Sequence, residues 1–451
     1  MKRLFSALSG ERITARALRG SGLTLIGFGG SNILRLVSNL ILTRLLFPEA
    51  FGLMALVQVF TTGLQMFSDI GINTSIIQSK RGEDPDFLNT AWTLKIIRGF
   101  ILWLFACALA PLAAWIYDEP MLLLLLPVVG FNSVIRGFAT TKMTVLHRNL
   151  KLGRQTFLSL GTQAIGIVIM TVLAWWLESV WALVIGGLAT SAFNVVLMHY
   201  IMPGMSNRFR FEKEAFWEII GFGKFILLST LATFLINQGD RAILGGYISM
   251  AELGIYNIGF FMGTVPWILN KAINNKVLFP LYRLRPPNQS TVNRDKIFRA
   301  RRIFTLATLS ASAFMAFFGN EVITLLYDDR YLLAGPMVIL FSLVIVPSIV
   351  IDGYNGVLLA SGDSKRFFVL QASTAVLQVA CLLIGIQTLG LLGAICAIGM
   401  AALITYPLRI RYTRLYNAWD ARGDAVLMTL GLGLNGFACW WHRDLLMALS
   451  L

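Results

Sequence analysis

The sequence predicts an all-α polytopic membrane protein made of two pseudo-symmetric lobes of six helices each. Three observations support this prediction: the composition, a series of apolar stretches along the whole chain, and a weak internal repeat. Of the 451 residues, 56% are hydrophobic and only 14% are charged, with a mean hydropathy of +0.70. Because soluble domains are about 25% charged, this composition indicates a chain that lies mostly in a lipid bilayer.

The apolar stretches predict twelve transmembrane helices. About 20 apolar residues are needed for a helix to cross a hydrocarbon core of ~30 Å. A shorter apolar run, 425–441, is a candidate thirteenth helix. The predicted spans are 20–45, 51–72, 91–117, 121–140, 156–177, 180–202, 219–247, 252–275, 302–326, 333–358, 367–389 and 391–410.

The basic residues predict the orientation of these helices. Cytoplasmic loops of membrane proteins are enriched in Lys and Arg, and a cytoplasmic N-terminus places 29 of the 38 Lys and Arg residues on that side. The basic segment 1–19 is then cytoplasmic, either as an amphipathic helix on the inner membrane surface or as a disordered tail. The net charge of +15 follows from topology, so the bilayer is the expected partner and no nucleic acid is required.

An internal repeat predicts the two lobes. The stretch "ILTRLLFPEAFGLM" (41–54) is similar to "ILGGYISMAELGIY" (243–256), at an offset of about 202 residues. Repeats of this kind are typical of transporters, and six helices between the copies place the pseudo-symmetry axis along the membrane normal. We expect an N-lobe at 20–203 with helices 1 to 6, a C-lobe at 204–410 with helices 7 to 12, and a basic loop with the candidate extra helix at 411–451.

Two polar triplets occupy matching positions in the repeat. The first lies in helix 1 and the second in helix 7, and the spacings i, i+3 and i+4 place each triplet on one helical face. Polar side chains at mid-membrane depth usually face a protein interior or a wet cavity. The residues predicted to line a substrate-binding cleft between the lobes are Arg35 and Asn39 from the first triplet and Asn237, Asp240 and Arg241 from the second.

An alternative remains open for helix 1. Arg35 could instead pair with a carboxylate such as Asp69 and hold helices 1 and 2 together. In that case Arg35 would have a structural role and would not contact a substrate.

Further cations lie inside the predicted spans. Arg98, Arg136 and Lys271 either line an inward-facing basic vestibule, where they would bind substrate, or anchor their helices at the interface. Lys95 lies about one turn from the boundary, so we interpret it as a snorkelling anchor.

Three carboxylates inside the predicted spans could neutralise these cations: Asp69, Asp240 and Asp352. Buried positive charge without compensation costs several kcal/mol per ion, which favours an anionic substrate. Asp240, beside Asn237, and Asp69 are candidate sites for a coupling H⁺ or Na⁺. We expect no other cofactor, and the chain contains no GxxxxGK[ST] loop for ATP hydrolysis.

Four stretches carry a resemblance to a known family. They are "TRLLFPEAFGLMALVQVFTTGLQMFSDIGINTSIIQ" (43–78), "DRAILGGYISMAELGIYNIGFFM" (240–262), "NNKVLFPLYRL" (274–284) and "GVLLASGDSKRFF" (356–368). With these four stretches in this order, the chain resembles the polysaccharide transporter family, the Wzx-type oligosaccharide and O-antigen flippases. This family belongs to the superfamily that also contains the MATE drug exporters and the lipid II flippases.

The resemblance implies a MATE-like and lipid-flippase-like fold in the bacterial inner membrane. It implies translocation of an undecaprenyl-pyrophosphate-linked oligosaccharide from the cytoplasmic to the periplasmic face, with Arg35 and Arg241 as the best match to the cationic cavity residues of the family. A polysaccharide polymerase and chain-length machinery are candidate partners. The chain departs from the fourteen-helix pattern because it ends after at most thirteen spans.

Two rival functions remain open. A MATE-type antiporter of drugs or cations would favour acidic cavity faces, whereas helix 1 carries no carboxylate. A membrane glycosyltransferase or polymerase would need catalytic carboxylates or histidines on a sizeable outer loop. The three histidines, His147, His199 and His442, are scattered near helix ends, so we do not expect an enzyme.

Overall fold

The computed structural model describes residues 13–68, 71–148, 153–223 and 227–449, and all regular secondary structure in these ranges is helical. The predicted all-α class is therefore confirmed. The chain divides into two compact units, Met1–Thr230 and Leu231–Leu451, which we call the N-unit and the C-unit. The lobe boundaries drawn from the sequence stay a prediction, and most of the predicted segment 1–19 lies outside the described residues.

Ten helices belong to the described part of the N-unit. In chain order they are α1 (Ile13–Leu45), α2 (Pro48–Phe67), α3 (Ile72–Gln78), α4 (Pro85–Tyr117), α5 (Leu122–Gly130), α6 (Asn132–Gly137), α7 (Lys142–Arg148), α8 (Gly153–Leu177), α9 (Val180–Ile201) and α10 (Lys213–Gly223).

Local sequence signals explain several of these boundaries. Pro48 and Pro85 begin α2 and α4. At the first position of a helix the backbone N–H has no partner within the helix, so proline removes no hydrogen bond there. The carboxylate of Asp84 accepts a hydrogen bond from the backbone N–H of Asp86 at 3.0 Å and caps α4. The predicted span 121–140 is divided into α5 and α6, and α5 contains Pro127, which cannot donate a helical hydrogen bond.

The helices that follow include the two longest of the described chain and several short ones. They are α11 (Leu227–Leu244), α12 (Met250–Gly263), α13 (Val265–Ile273), α14 (Phe279–Leu284), α15 (Thr291–Leu326), α16 (Ala334–Val344), α17 (Val346–Ile351), α18 (Asn355–Ala360), α19 (Ser364–Arg414), α20 (Ala421–Trp441) and α21 (Arg443–Leu446).

Prolines and one glycine explain the interruptions. Pro266 and Pro347 lie in the first turns of α13 and α17, directly after breaks, and a π-helical turn, Asn274–Leu278, separates α13 from α14. Within α19, Gly390 has φ 60° and ψ −142°, a backbone conformation available to glycine. This break confirms the predicted separation between the spans 367–389 and 391–410.

Seven helices of the described ranges are long and apolar enough to cross a membrane, or eight if the bent pair Leu122–Gly137 and Lys142–Arg148 counts as one span. The chain is therefore a multi-pass membrane protein, while the count of twelve stays a prediction. The candidate thirteenth segment is helical as α20, and its position as a membrane span stays a prediction.

Each unit has its own apolar core. In the N-unit, Ile72 and Ile76 of α3 pack with Phe87 of α4 and with Ala215 and Ile219 of α10. The helix α10 thus covers one end of α4, although the sequence predicts a loop over most of this stretch.

In the C-unit, α20 forms part of the core. Leu427 of this helix packs with Leu309 of α15 and with Val346 and Ile349 of α17.

Candidate functional site

The N-unit contains a cavity of about 760 Å³ between α2, α4, α6, α8 and α9, which we call the N-cavity. Three cationic side chains line it: Lys95 and Arg98 from α4, and Arg136 from α6. Within the described ranges, no Asp or Glu lines this cavity, and its other polar residues are uncharged. The lining can therefore bind an anionic, strongly hydrated group.

Neutral oxygen atoms hold two of these cations in place. The Nε atom of Arg98 donates to Oγ of Ser68 at 3.0 Å, and its terminal nitrogen donates to the carbonyl of Gln65 at 2.6 Å. Nζ of Lys95 donates to the carbonyl of Ala139 at 3.2 Å. Among the residues that the structure describes, neither Lys95 nor Arg136 has an ion-pair partner.

Two glycines allow the cationic helices to approach closely. A Cβ atom on Gly99 of α4 would lie 2.6 Å from the carbonyl oxygen of Ser133 on α6. A Cβ atom on Gly137 of α6 would lie 3.0 Å from the carbonyl oxygen of Lys95. Since larger residues would separate the backbones, these glycines allow all three cations to line one cavity.

Neutral polar residues of α8 and α9 also line the cavity. On each helix, an adjacent pair lies three and four residues from a third residue, which places all three on one helical face. These polar residues are Ser159, Thr162, Gln163, Thr190, Ser191 and Asn194.

The C-unit contains a second cavity of about 360 Å³, which we call the C-cavity. It is lined by two carboxylates, Asp240 and Asp352, and by two cations, Lys271 and Arg409. Asp352 accepts hydrogen bonds from Nε1 of Trp267 at 2.7 Å and from Arg409 at 3.2 Å. The charges of this cavity are therefore balanced within the described lining.

Asp240 and Arg241 lie next to each other on α11. The Asp240 side chain is only 3% exposed, and its Oδ2 atom accepts a hydrogen bond from the Tyr256 hydroxyl at 2.8 Å. The Arg241 guanidinium lies 3.7 Å from the other carboxylate oxygen, donates to Asn257 at 2.5 Å and stacks on the ring of Phe260. Arg241 thus has a carboxylate close by within its own unit.

The structure separates the predicted site residues into three groups. Arg98 and Arg136 line the N-cavity. Asn237, Asp240 and Lys271 line the C-cavity.

The third group lines neither cavity. Arg35 is exposed and Asn39 half-buried on α1, and Arg241 stacks on Phe260. Asp69 lies outside the described residues. The substrate-binding and ion-coupling roles, and the cleft between lobes, stay predictions.

Lys95 is a cavity residue that the sequence does not predict. Its position near the membrane boundary predicts an interfacial anchor, whereas the structure places it in the lining of the N-cavity. Its i, i+3 spacing from Arg98, which puts both cations on one face of α4, is the signal in the sequence.

Comparison with known proteins identifies the family. Residues 41–336 match the family described as polysaccharide biosynthesis protein. The chain belongs to this polysaccharide biosynthesis family. The resemblance drawn from the four sequence stretches is thereby confirmed.

Three relatives of this chain are named for the biosynthesis of a cell-surface polysaccharide or lipopolysaccharide. It is 21% identical over 333 residues to the teichuronic acid biosynthesis protein TuaB of Bacillus subtilis (strain 168), covering 74% of this chain and 68% of the relative. It is 22% identical to the succinoglycan biosynthesis transport protein ExoT of Rhizobium meliloti (strain 1021), covering 72% of this chain and 65% of the relative, slightly less than two thirds. It is 20% identical to the lipopolysaccharide biosynthesis protein WzxC of Escherichia coli (strain K12), covering 80% and 73%.

Two solved structures of transporters are similar in fold to this chain. The lipid II flippase MurJ in an inward closed conformation is similar with a TM-score of 0.67 at 12% identity, covering 93% of this chain and 98% of that structure. An inward-facing multidrug resistance MATE transporter of the MOP superfamily is similar with a TM-score of 0.62 at 13% identity, covering 88% and 95%. The predicted MATE-like and lipid-flippase-like fold is therefore confirmed.

Proposed function

We propose that this chain is a transporter that moves an undecaprenyl-diphosphate-linked oligosaccharide across the bacterial inner membrane. Transport runs from the cytoplasmic to the periplasmic leaflet, with the N-terminus in the cytoplasm. The observation that carries the proposal is the N-cavity, where Lys95, Arg98 and Arg136 line one space together with neutral polar side chains. The names of the relatives TuaB, ExoT and WzxC support the same substrate class.

The charge of the substrate explains why a cavity with cationic and polar side chains is needed. A diphosphate linked to sugars cannot cross hydrocarbon unaided, because burying its charges without partners is strongly unfavourable. The polyprenyl tail, in contrast, is soluble in lipid. Cationic side chains can accept the diphosphate while hydroxyl and amide groups replace part of its hydration shell. Alternating access then exposes the bound headgroup first to one side of the membrane and then to the other.

The charge of the N-cavity also bears on the rival functions. A cationic drug would be repelled by three cations in one lining, so the cavity supports an anionic substrate over a MATE-type drug. The family names describe biosynthesis and transport of polysaccharides, and we assign the chain transport and not an enzymatic step. A polysaccharide polymerase would receive the product on the periplasmic side.

Binding of undecaprenyl diphosphate to the purified chain in lipid nanodiscs tests the proposal. A charge-assisted hydrogen bond contributes about 1.5–3 kcal/mol, so Arg98→Gln should weaken binding by about 10- to 100-fold. In proteoliposomes, the same variant should slow the translocation of a lipid-linked oligosaccharide.

Arg210→Gln is the matched control. Arg210 is 60% exposed, pairs with Asp86 and does not line the N-cavity, so this variant should behave as the wild type. Unchanged binding and translocation in Arg98→Gln, or an equal loss in Arg210→Gln, would contradict the proposal.

A further inference from the structure

The N-cavity and the C-cavity occupy corresponding places in the repeat. The stretch Val134–Phe138, "VIRGF", is similar to Val350–Tyr354, "VIDGY". Its central residues, Arg136 and Asp352, each line the cavity of their own unit. The same position thus carries a cation in one copy and a carboxylate in the other.

A second pair of residues supports this correspondence. In the N-unit, Gln163 of α8 exchanges hydrogen bonds with Ser31 of α1 at 2.8 and 3.1 Å. In the C-unit, Gln378 of α19 donates to the carbonyl of Ile236 on α11 at 3.1 Å. Both glutamines line their cavities. The two cavities are therefore built from corresponding positions of the repeat but differ in the charge of their lining.

From this difference we infer that the C-cavity is a binding site for a neutral sugar residue of the lipid-linked oligosaccharide. The inference rests on the proposed function, because the sugar belongs to the substrate proposed there. The positive and negative charges of the C-cavity are equal in number and partly bonded to each other. A lining of this kind offers hydrogen bonds without favouring either sign of ligand charge.

Two buried oxygen atoms in the C-cavity have no hydrogen-bond donor. Oδ1 of Asp240 and Oδ1 of Asn355 make no hydrogen bond within the described ranges, although both atoms are shielded from solvent. The Asp240 side chain is only 3% exposed. Buried acceptors of this kind are normally satisfied, and sugar hydroxyl groups would supply the missing donors.

Trp267 fixes the charged part of the lining. Its indole N–H donates to Asp352 at 2.7 Å, Nζ of Lys271 lies 3.4 Å from the ring centroid, and the ring packs against the apolar core of the C-unit. The ring therefore holds Asp352 and Lys271 in place. The amides of Gln371 and Asn355 also line the cavity, so the hydroxyl groups of a pyranose can bond to both amides and carboxylates.

A metal-cation site is the competing interpretation. Lys271 and Arg409 lie in the same lining as the two carboxylates, and both would repel a cation. Arg409 already bonds to Asp352, and Arg241 lies beside Asp240. The charge of the cavity therefore favours a neutral polar ligand over Na⁺.

The experiment compares two probes on the full chain in nanodiscs. The first probe is undecaprenyl diphosphate, and the second is a free hexose, glucose or galactose. We expect the wild type to bind at least one hexose. Asn355→Ala and Gln371→Ala should each weaken hexose binding about tenfold, the value for one or two lost hydrogen bonds, without changing the affinity for undecaprenyl diphosphate.

Arg98→Gln is the reciprocal variant. It should weaken the binding of undecaprenyl diphosphate and leave hexose binding unchanged, because it alters only the N-cavity. Thermal unfolding of each variant verifies folding, and Gln371→Ala provides the test if Asn355→Ala does not fold.

Several outcomes overturn the inference. They are no hexose binding by the wild type, hexose binding that survives in both C-cavity variants, and an equal loss for both probes in those variants. An Asp240→Asn variant that changes Na⁺ dependence but preserves hexose binding would identify a cation site instead. Failure of the wild type to bind undecaprenyl diphosphate would overturn the proposed function itself, and is thus distinguishable from failure of the sugar site alone.

Discussion

Arg301 and Asp424 form an ion pair whose side chains are 1% and 2% exposed. The pair joins α15 to α20 across 123 residues of sequence. The hydroxyl groups of Tyr354 and Tyr406 both donate to Oδ2 of Asp424 at 2.7 Å. The last long helix is therefore fastened to the C-unit by a buried polar network as well as by its apolar core.

Removal of Asp424 should destabilise the protein strongly. Breaking one partner of a buried ion pair costs about 3–5 kcal/mol, because the other charge remains buried without compensation. Asp424→Ala should therefore lower the thermal-unfolding midpoint and the yield of purified protein.

Two further variants test this explanation. Arg301→Met combined with Asp424→Leu should recover most of the loss, because no unpaired charge remains. Asp444→Asn should be neutral, since Asp444 is 88% exposed. Wild-type stability of Asp424→Ala would show that the pair contributes little.

Substitution of Arg136 by aspartate gives the N-cavity the residue that the C-cavity has at the corresponding position. A carboxylate in place of a cation both removes an attraction and adds repulsion, so we expect undecaprenyl diphosphate to bind more than about 100-fold more weakly. Arg136→Lys should bind more tightly than Arg136→Asp, because it keeps the charge, and less tightly than wild type if bidentate contact matters. Equilibrium binding in nanodiscs distinguishes these cases. Equal affinities for all three proteins would remove Arg136 from the binding site.

The close approach of α4 and α6 should be sensitive to a single methyl group. In Gly99→Ala, the new Cβ would lie 2.6 Å from the carbonyl oxygen of Ser133, a backbone atom that can move only with its helix. We expect a loss of about 1–3 kcal/mol in stability together with weaker binding of undecaprenyl diphosphate. Gly161→Ala is the matched control, since a Cβ there has nothing within 4 Å. Equal behaviour of the two variants in thermal unfolding and binding would contradict this account.

Arg35 remains a predicted substrate-binding residue. Arg35→Ala should leave membrane insertion and abundance unchanged but stop assembly of surface polysaccharide, with lipid-linked repeat units accumulating in the cytoplasmic leaflet. Arg35→Lys should retain part of the function if only positive potential is needed, and little if bidentate contact with phosphate is needed. Measurement of the polymer at the cell surface and of lipid-linked intermediates tests both statements. Normal export in Arg35→Ala would exclude Arg35 from the mechanism.

The cap of α4 should respond to acid. The side-chain hydrogen bond from Arg81, followed by the one from the backbone N–H of Asp86, holds the pKa of Asp84 below its usual value of 3.8. A lowered carboxylate pKa stabilises the folded state above pH 3.8, and this contribution is lost as the pH falls through the folded-state pKa.

Asp84→Ala should therefore cost about 0.5–2 kcal/mol near neutral pH. The thermal-unfolding midpoints of wild type and variant should converge below pH 3.8. A constant difference down to pH 3 would contradict the assignment.

The sequence predicts the apolar segments well and their interruptions poorly. Gly390 separates two spans at the expected place, because a glycine between apolar runs is a visible local signal. The division of the span 333–358 into α16, α17 and α18 was not predicted, since hydropathy averages over a proline such as Pro347. The helix α10 was also missed, because it is stabilised by burying Ala215 and Ile219 against α3 and α4, which only tertiary packing reveals.

The candidate site was predicted only in part, for a similar reason. Arg98 and Arg136 are visible in the sequence because each is a cation inside an apolar run, although the sequence leaves open whether they line a vestibule or anchor their helices. Lys95 lies near the predicted membrane boundary, and the sequence alone cannot distinguish a side chain that reaches toward solvent from one that faces a cavity. The grouping of cations into the N-cavity depends on the contacts of Gly99 and Gly137 across α4 and α6, which are long-range and leave no pattern in composition.

The opposite charges of Arg136 and Asp352 have a consequence for how such proteins diversify. The two cavities are lined by separate sets of residues, so a substitution that changes the charge of one leaves the lining of the other unaltered. The two halves of the chain can therefore diverge in charge independently of each other.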